Sequence, residues 1–324
     1  MIISRTPMRI SLGGGGTDIP AFYKKHGGFL IAGAINKYVY VCVHENFSSN
    51  ILLKYAQTEE VDQLNKVRHP IIKACLAHFK IKEKIEITSM ADIPAGTGLG
   101  SSGSFTVGLL NSLSKFKKNL NSNKELAELA CKIEIEKLRQ PIGKQDQYIA
   151  SLGGLTSFEF KSNEEVEFHA VRMNNQNYNH LEENLVMFFT GIRRSTNDEL
   201  AALNSNLNFS KLEIENNLKE VKKIGFTTLN LLENGNLSGF GEILTKQWKM
   251  KYVRSRTATH KWIDGIIHGA ISHGAIGGKL VGAGGGGFLL MYAEKKIKLR
   301  RYMKSLGLTE TQFKFENNGS SLIV

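Results

Sequence analysis

Pro94-Ala95-Gly96-Thr97-Gly98-Leu99-Gly100-Ser101-Ser102-Gly103-Ser104-Phe105 is the stretch around which the chain is organised. Upstream, Ile85-Glu86-Ile87-Thr88-Ser89-Met90 alternates as a half-buried strand does. Downstream, Phe105, Leu109, Leu110, Leu113 and Phe116 recur at helical spacing. The predicted layout is strand, glycine loop, helix N-terminus. Glycine admits positive φ and close approach of a ligand to the backbone. The N–H groups and dipole of a helix start favour an anion, so the loop reads as a phosphate cradle with three serine hydroxyls to spare. The bland alternative is a glycine turn before a core helix.

Two common nucleotide patterns fit poorly. Gly98 to Gly103 matches G-x-G-x-x-G, but the following segment, Ser122 to Leu138, reads as helix, where a dinucleotide fold needs a strand ending in an acidic residue. Gly282 to Gly287 matches the same pattern, which shows how cheaply it arises. No G-x-x-x-x-G-K-[ST] occurs, because Ala34 follows the glycine spacing of Gly28 and Gly33.

With 324 residues the chain can fill two domains, and 41% hydrophobic with 22% charged residues is ordinary globular composition. Cys42, Cys75 and Cys131 are dispersed without metal spacing and read as reduced thiols of a cytoplasmic protein. The N-terminus enters a strand with no signal-peptide pattern, and the apolar run Phe29 to Val43 is broken by Asn36 and Lys37, so no membrane association is expected. A net charge of +12 is spread along the chain, densest over Lys246 to Arg256. Without aromatic interleaving it reads as a solvated surface plus anionic metabolites rather than a nucleic-acid platform.

In chain order, residues 1–12 form a strand closed by Gly13-Gly14-Gly15-Gly16-Thr17-Asp18. Asp18 is either a ligand-facing group or the N-cap of a helix over Ile19 to Lys25. Gly28 to Glu45 reads as paired strands and His69 to Phe79 as helix. Ser122 and Glu125 open a helix to about Arg139 with a capping box. Glu134 and Glu136 flank its apolar face on opposite edges, and periodicity does not choose between them. Gly153-Gly154 and the charged stretch Lys161 to Glu167 predict a boundary between domains 1–170 and 171–324. The second half reads as α+β: a strand at Leu185 to Phe189 running into Thr190-Gly191-Ile192-Arg193-Arg194-Ser195, helices near 207–233, 238–253 and 260–272, a strand–turn–strand over Gly277 to Tyr292, a helix at 295–306 and a strand at Gln312 to Phe315.

Three glycine motifs in this order, from Pro7-Met8-Arg9 through Thr17-Asp18, Pro94 to Ser104, and Lys279 to Phe288, resemble the GHMP kinases over nearly the whole chain. The form GGGGTD and TGIRRS most resemble the D-glycero-D-manno-heptose 7-phosphate kinases, which phosphorylate an anomeric hydroxyl. The glycines at 14–16 depart from galactokinases and point away from galactose. The resemblance implies an N-terminal domain of the ribosomal-protein-S5 domain 2-like fold and a ferredoxin-like C-terminal domain, with ATP and Mg²⁺ as cofactors. Pro94, Gly96, Thr97, Gly98, Leu99, Gly100, Ser101, Ser102, Gly103 and Ser104 would cradle the ATP phosphates. Ser102 or a neighbouring serine, with Glu134, would meet the metal. Asp146, in Gly143-Lys-Gln-Asp-Gln147, would be the base, and Arg9 would stand near the attacking hydroxyl. Gly14, Gly15, Thr17, Asp18, Gly284 and Gly285 would contact the sugar.

Arg193 and Arg194 carry a further expectation, made from the residues themselves. Adjacent guanidiniums at a strand end suit an anion, here a sugar phosphate's own phosphate, against the alternative of a solvent-facing pair. The implied partner is a small sugar phosphate, with a homodimer left open and nucleic acid and membrane excluded. A non-catalytic sugar sensor is the competing class, and Asp146, Glu134 and Arg9 argue against it.

Overall fold

The computed structural model describes residues 1–193, 210–254, 258–282 and 285–324. β1 (Ile2–Gly13) and β2 (Gly28–Glu45) form one long antiparallel ladder, the spine of an eight-stranded sheet. The segment expected as paired strands is thus one 18-residue strand. It is long because different partners flank its two halves: β6 (Leu155–Phe160) pairs with Gly28 to Gly33, and β5 (Ile85–Ala91) with Val39 to Glu45. β3 (Ile51–Lys54), β4 (Thr58–Val61) and β7 (Val166–Ala170) complete the breadth of the sheet, with β12 (Ser321–Leu322) at the edge of β1.

Register slips where Pro7 pairs with Tyr38 but Met8 pairs with Ile35. Proline has no N–H for the ladder, so a bulge there costs little. The skipped Asn36 holds the chain's end instead: its N–H donates to the Lys314 carbonyl (2.9 Å) and its side chain accepts from Lys314 N–H (2.8 Å). Phe315 forms an isolated bridge to Ile35 and its ring lies over Gly33. The expected strand at Gln312 to Phe315 is therefore a clamp, and the regular strand nearby is β11 (Thr309–Thr311).

Helix Ser101–Phe116 packs across β1 and β2, burying Val107, Leu109, Leu110 and Leu113. Its neighbour opens at Ser122 with the expected reciprocal capping box to Glu125. That helix does not run on as α to Arg139. It is α from Asn123 to Cys131 and π from Lys132 to Lys137. The wider turn rotates Glu134 into the interior while Glu136 stays exposed, a register change that 3.6-residue periodicity does not contain. The charged stretch at Lys161 to Glu167 is not a linker: it is the turn of the β6–β7 hairpin and the start of β7.

A second sheet, all antiparallel, has the order β11-β8-β10-β9, with β8 at Leu185–Phe189, β9 at Gly277–Leu280 and β10 at Phe288–Tyr292. In chain order this is four-one-three-two, the ferredoxin-like arrangement. Trp248, Phe188, Ile263, Ile267, Met291 and Leu299 fill its own core. Helix Lys211–Glu233 leaves this half and lies on β1 and β2, where Phe226 stacks on Phe29 at 3.9 Å. Overall the architecture is α+β, and helix 211–233 and the chain's end tie the two sheets together.

The first glycine loop is held by Thr17, which is wholly buried. Its hydroxyl lies 2.9 Å from the carbonyls of Gly14 and Phe29 and accepts from Phe29 N–H at 3.1 Å. Valine fills the same volume but leaves those groups unsatisfied, which costs about 1–3 kcal/mol. We expect Thr17→Val to lose that much stability in chemical denaturation. A loss below about 0.5 kcal/mol, the ordinary scatter for unconnected sites, would mean that the hydroxyl does not hold the loop.

Candidate active site

Two cavities meet at Arg9, Ile142, Asp146 and Gly282. The larger, about 820 Å³, runs along the glycine loop from Gly96, Gly98 and Gly100 to Ser101, Ser102 and Gly103, and ends among Tyr55, His69, Ile71, Met90 and Phe105. The smaller, about 170 Å³, is bounded by Ser11, Gly15, Gly16 and Asp18 from the first loop, with Gln247, Trp248, Lys251 and Lys279 opposite.

The glycine loop is shaped for close approach. Gly100, at φ 74°, is the N-cap of helix Ser101–Phe116 and has no side-chain cap, so the first N–H groups face the cavity. Gly98 and Gly282 touch backbone to backbone: a Cβ on Gly282 would fall 2.4 Å from Gly98 Cα. The second and third glycine motifs are thereby packed against each other across the join between the two halves. Thr97, Leu99 and Ser104 build the loop and do not border the cavity. Thr97 Oγ1 donates to the Pro94 carbonyl (3.0 Å), Leu99 is wholly buried, and Ser104 Oγ donates to the Pro7 carbonyl (2.8 Å).

Ser102 is the serine that meets Glu134. Its hydroxyl donates to Oε1 at 2.7 Å, and Gln147 Nε2 donates to Oε2 at 2.7 Å. Glu134 is fully buried, and no cation pairs with it among the described residues. Burial raises its pKa, against the pull of the two hydrogen bonds. A buried carboxylate beside a hydroxyl at the edge of an anion-shaped cavity is an oxygen donor set lacking positive charge. It fits Mg²⁺, which keeps waters and phosphate oxygens as its remaining ligands. No cluster of three or more His, Cys, Asp or Glu occurs among the described residues, so any metal here relies on the nucleotide for ligands.

Arg9 anchors the join. Its Nε and Nη2 converge on Asp146 Oδ1, at 2.8 and 2.6 Å, and its Nη1 donates to the Gly98 carbonyl at 2.6 Å. Asp146 sits in the first turn of helix Gln145–Leu152 but does not cap it. Asp18 likewise is no N-cap: helix Pro20–His26 starts after Ile19, and Asp18 accepts from Gln145 N–H (2.9 Å) and Gly16 N–H (3.3 Å). A Cβ on Gly143 would lie 1.9 Å from Asp18 Oδ2, so the two loops close only around a glycine. Burial is the largest influence on Asp18 and raises its pKa.

Of the expected sugar contacts, Gly15 and Asp18 border the small cavity, whereas Gly14 and Thr17 shape the loop behind it. Arg193 borders the glycine-loop cavity and not the Asp18 cavity. Gly285 is buried and borders neither, and Arg194 and Gly284 lie outside the described residues. Sequence reading missed the aromatic end formed by Tyr55, His69 and Phe105, which come from three separate elements. It also read Lys246 to Arg256 as solvated surface, yet Gln247, Trp248 and Lys251 line the small cavity. Their i, i+3 and i+4 spacing was the available signal.

Glu134 supplies a signed prediction. A carboxylate with a raised folded pKa binds more protons folded than unfolded, so its destabilising effect grows as pH rises above the ordinary value of 4.5. In metal-free protein, Glu134→Gln should melt at or above the parent at pH 7, with the gap narrowing towards pH 5. Glu136→Gln, altered on an exposed edge, should melt with the parent at both pH values. A Glu134→Gln protein clearly less stable than the parent at pH 7 would show that the buried charge is compensated.

The N-terminal domain model of the GHMP kinases matches residues 65–154 and the C-terminal domain model residues 228–307. The D-glycero-alpha-D-manno-heptose 7-phosphate kinase of Campylobacter jejuni is 28% identical over 98% of this chain and 97% of its own. An L-fucokinase/L-fucose-1-P guanylyltransferase of Bacteroides fragilis is 25% identical over 94% of this chain but only 36% of its own. Among solved structures, a putative sugar kinase from Campylobacter jejuni superposes with TM-score 0.77 at 27% identity, covering 99% of this chain and 97% of that one. A D-glycero-D-manno-heptose 1-phosphate kinase from Bacteroides thetaiotaomicron shares the fold, with TM-score 0.81 at 24% identity over 100% of this chain and 99% of that one. No helix among the described residues is long and apolar enough to cross a membrane. With both domain models in place, the chain belongs to the GHMP kinases and is an ATP-dependent sugar kinase.

Proposed function

We propose that this kinase transfers the γ-phosphoryl group of ATP to the anomeric hydroxyl of D-glycero-D-manno-heptose 7-phosphate, giving the 1,7-bisphosphate and ADP for nucleotide-activated heptose synthesis. The observation that carries the reading is the junction of the two cavities at the Arg9–Asp146 pair. A long cavity with a phosphate-shaped loop and an aromatic end suits ATP. A small cavity of mixed lining that holds a buried carboxylate suits a polyol. Phosphoryl transfer has a loose transition state, so positioning and charge neutralisation supply most of the catalysis. The heptose choice is supported by the Campylobacter relative, which matches end to end.

In this mechanism the triphosphate lies along Gly96, Gly98 and Gly100 and the first-turn N–H groups of Ser101 to Gly103, with Arg193 beside it. Asp18 accepts hydrogen bonds from sugar hydroxyls. Both Arg9 contacts to Asp146 fall on Oδ1, which leaves Oδ2 to accept the proton of the attacking hydroxyl. The hydroxyl oxygen bonds to the γ-phosphorus as the bond to the ADP oxygen breaks, and Arg9 offsets the charge gathered there. Ser102 and Glu134 would hold Mg²⁺, which neutralises phosphate charge when bound.

A free-sugar kinase is the second reading, favoured by the likeness to the fucokinase. ADP release over heptose 7-phosphate, free heptose, fucose and mannose separates the two. Asp146→Asn should retain ATP binding and fold while kcat falls by about 10²–10⁴-fold. A kcat within about threefold of the parent would remove Asp146 from the base role. In Mg²⁺ titrations of activity, Glu134→Gln should need markedly more metal and Glu136→Gln should match the parent. The reverse order would move the metal site.

A further inference from the structure

The small cavity that holds Asp18 is also bordered by a cation that the mechanism above does not use. Lys279, on β9, is 4% exposed, and its Nζ donates to the Leu12 carbonyl (3.1 Å) and Gln247 Oε1 (2.7 Å). Both acceptors are neutral, and no carboxylate pairs with Lys279 among the described residues. A buried ammonium in such company is costly unless something negative arrives. Burial, then the nearby Lys251 and Arg9, push its pKa well below the usual lysine value. Lys251 borders the same cavity from helix Leu237–Arg254, one turn beyond Gln247, and its ammonium donates to the Gly282 carbonyl. Three cations thus converge around one small space, and Asp146 neutralises Arg9.

The cavity is bordered by groups of both signs: Asp18, the Gly15-Gly16 backbone and Ser11, whose buried hydroxyl has no partner among the described residues, together with the two lysines. A ligand carrying both hydroxyls and a dianion satisfies both sets. Neither lysine borders the glycine-loop cavity, although Lys251 reaches the Gly282 carbonyl, where the two cavities meet.

We propose that Lys279 and Lys251 form an anion subsite in the acceptor cavity that receives the substrate's own phosphate, the role expected of Arg193 and Arg194 from sequence. The inference deepens the sugar-phosphate reading above and rests on it. The subsite makes the enzyme discriminate a sugar phosphate from the same sugar without phosphate. Ser11, which borders the same cavity, adds a hydrogen bond to a sugar hydroxyl.

The test compares D-glycero-D-manno-heptose 7-phosphate with unphosphorylated heptose in wild type, Lys251→Met and Lys279→Met. A charge-assisted hydrogen bond lost to methionine should lower kcat/KM for the phosphorylated sugar by about 10- to 150-fold. The low rate on free heptose should stay within about threefold, and KM for ATP should not move. Calorimetric binding of heptose 7-phosphate without ATP should weaken by the same factor. Equal losses on both acceptors, or no loss on either, would overturn the subsite. Should Lys279→Met fail to fold, Lys251→Met, altered on a half-buried helix face, carries the comparison alone. A wild type that fails to prefer the phosphorylated sugar overturns the sugar-phosphate reading itself, and the subsite with it. A wild type that prefers it while the variants keep that preference overturns the subsite only.

Discussion

Arg9 is the constraint on which the site is built. Its backbone N–H donates to the Leu99 carbonyl (3.0 Å), its Nη1 to the Gly98 carbonyl, and its Nε and Nη2 to Asp146. One residue of the central ladder therefore fixes the glycine loop and the start of helix Gln145–Leu152 at once. The planar guanidinium makes this feasible, because its donors leave in fixed directions that lysine cannot reproduce. Arg9 is nearly buried while Asp146 keeps 29% exposure towards the cavities, so the pair is shielded on the arginine side and open where a ligand would enter.

Close packing of backbone without side chains is the second requirement. Gly98 against Gly282 and Gly143 against Asp18 both bring chain segments nearer than a Cβ allows. These contacts join the second glycine loop to the ferredoxin-like half and the first glycine loop to the segment that opens helix Gln145–Leu152. The two cavities share residues along this join, so small rearrangements there would alter both together. Two carboxylates, Asp18 and Glu134, and one ammonium, Lys279, are buried nearby without an ion-pair partner of their own among the described residues. Such groups cost stability in the empty protein, and a phosphate, a metal and a polyol are what would repay that cost.

Much of this was legible along the chain. The strand, glycine loop and helix around Pro94 to Phe105 follow from local periodicity and glycine placement, and the structure keeps that order. The capping box at Ser122 is likewise a local signal. Periodicity left Glu134 against Glu136 open, and only the family resemblance chose Glu134, because the π-turn over Lys132–Lys137 breaks the 3.6-residue register. Gly28 to Glu45 looked like two strands because its alternation is interrupted at Asn36-Lys37. The interruption is a bulge that feeds the chain's end, and its partner lies almost 280 residues away.

By itself the sequence determined the fold family and the order of strand, glycine loop and helix around Pro94 to Phe105, since these depend on short motifs and local backbone demands. Tertiary structure alone decided which groups share a cavity. Arg193 stands by the glycine loop, while Lys251, hidden in a basic run that read as surface, stands with Asp18. The reason is physical: a lysine's burial and partners depend on the helix face it occupies and on what packs against that face. Lys279 is the clearest case. Only the fold places its ammonium between a strand carbonyl and Gln247, with Lys251 and Arg9 near enough to make an anion welcome.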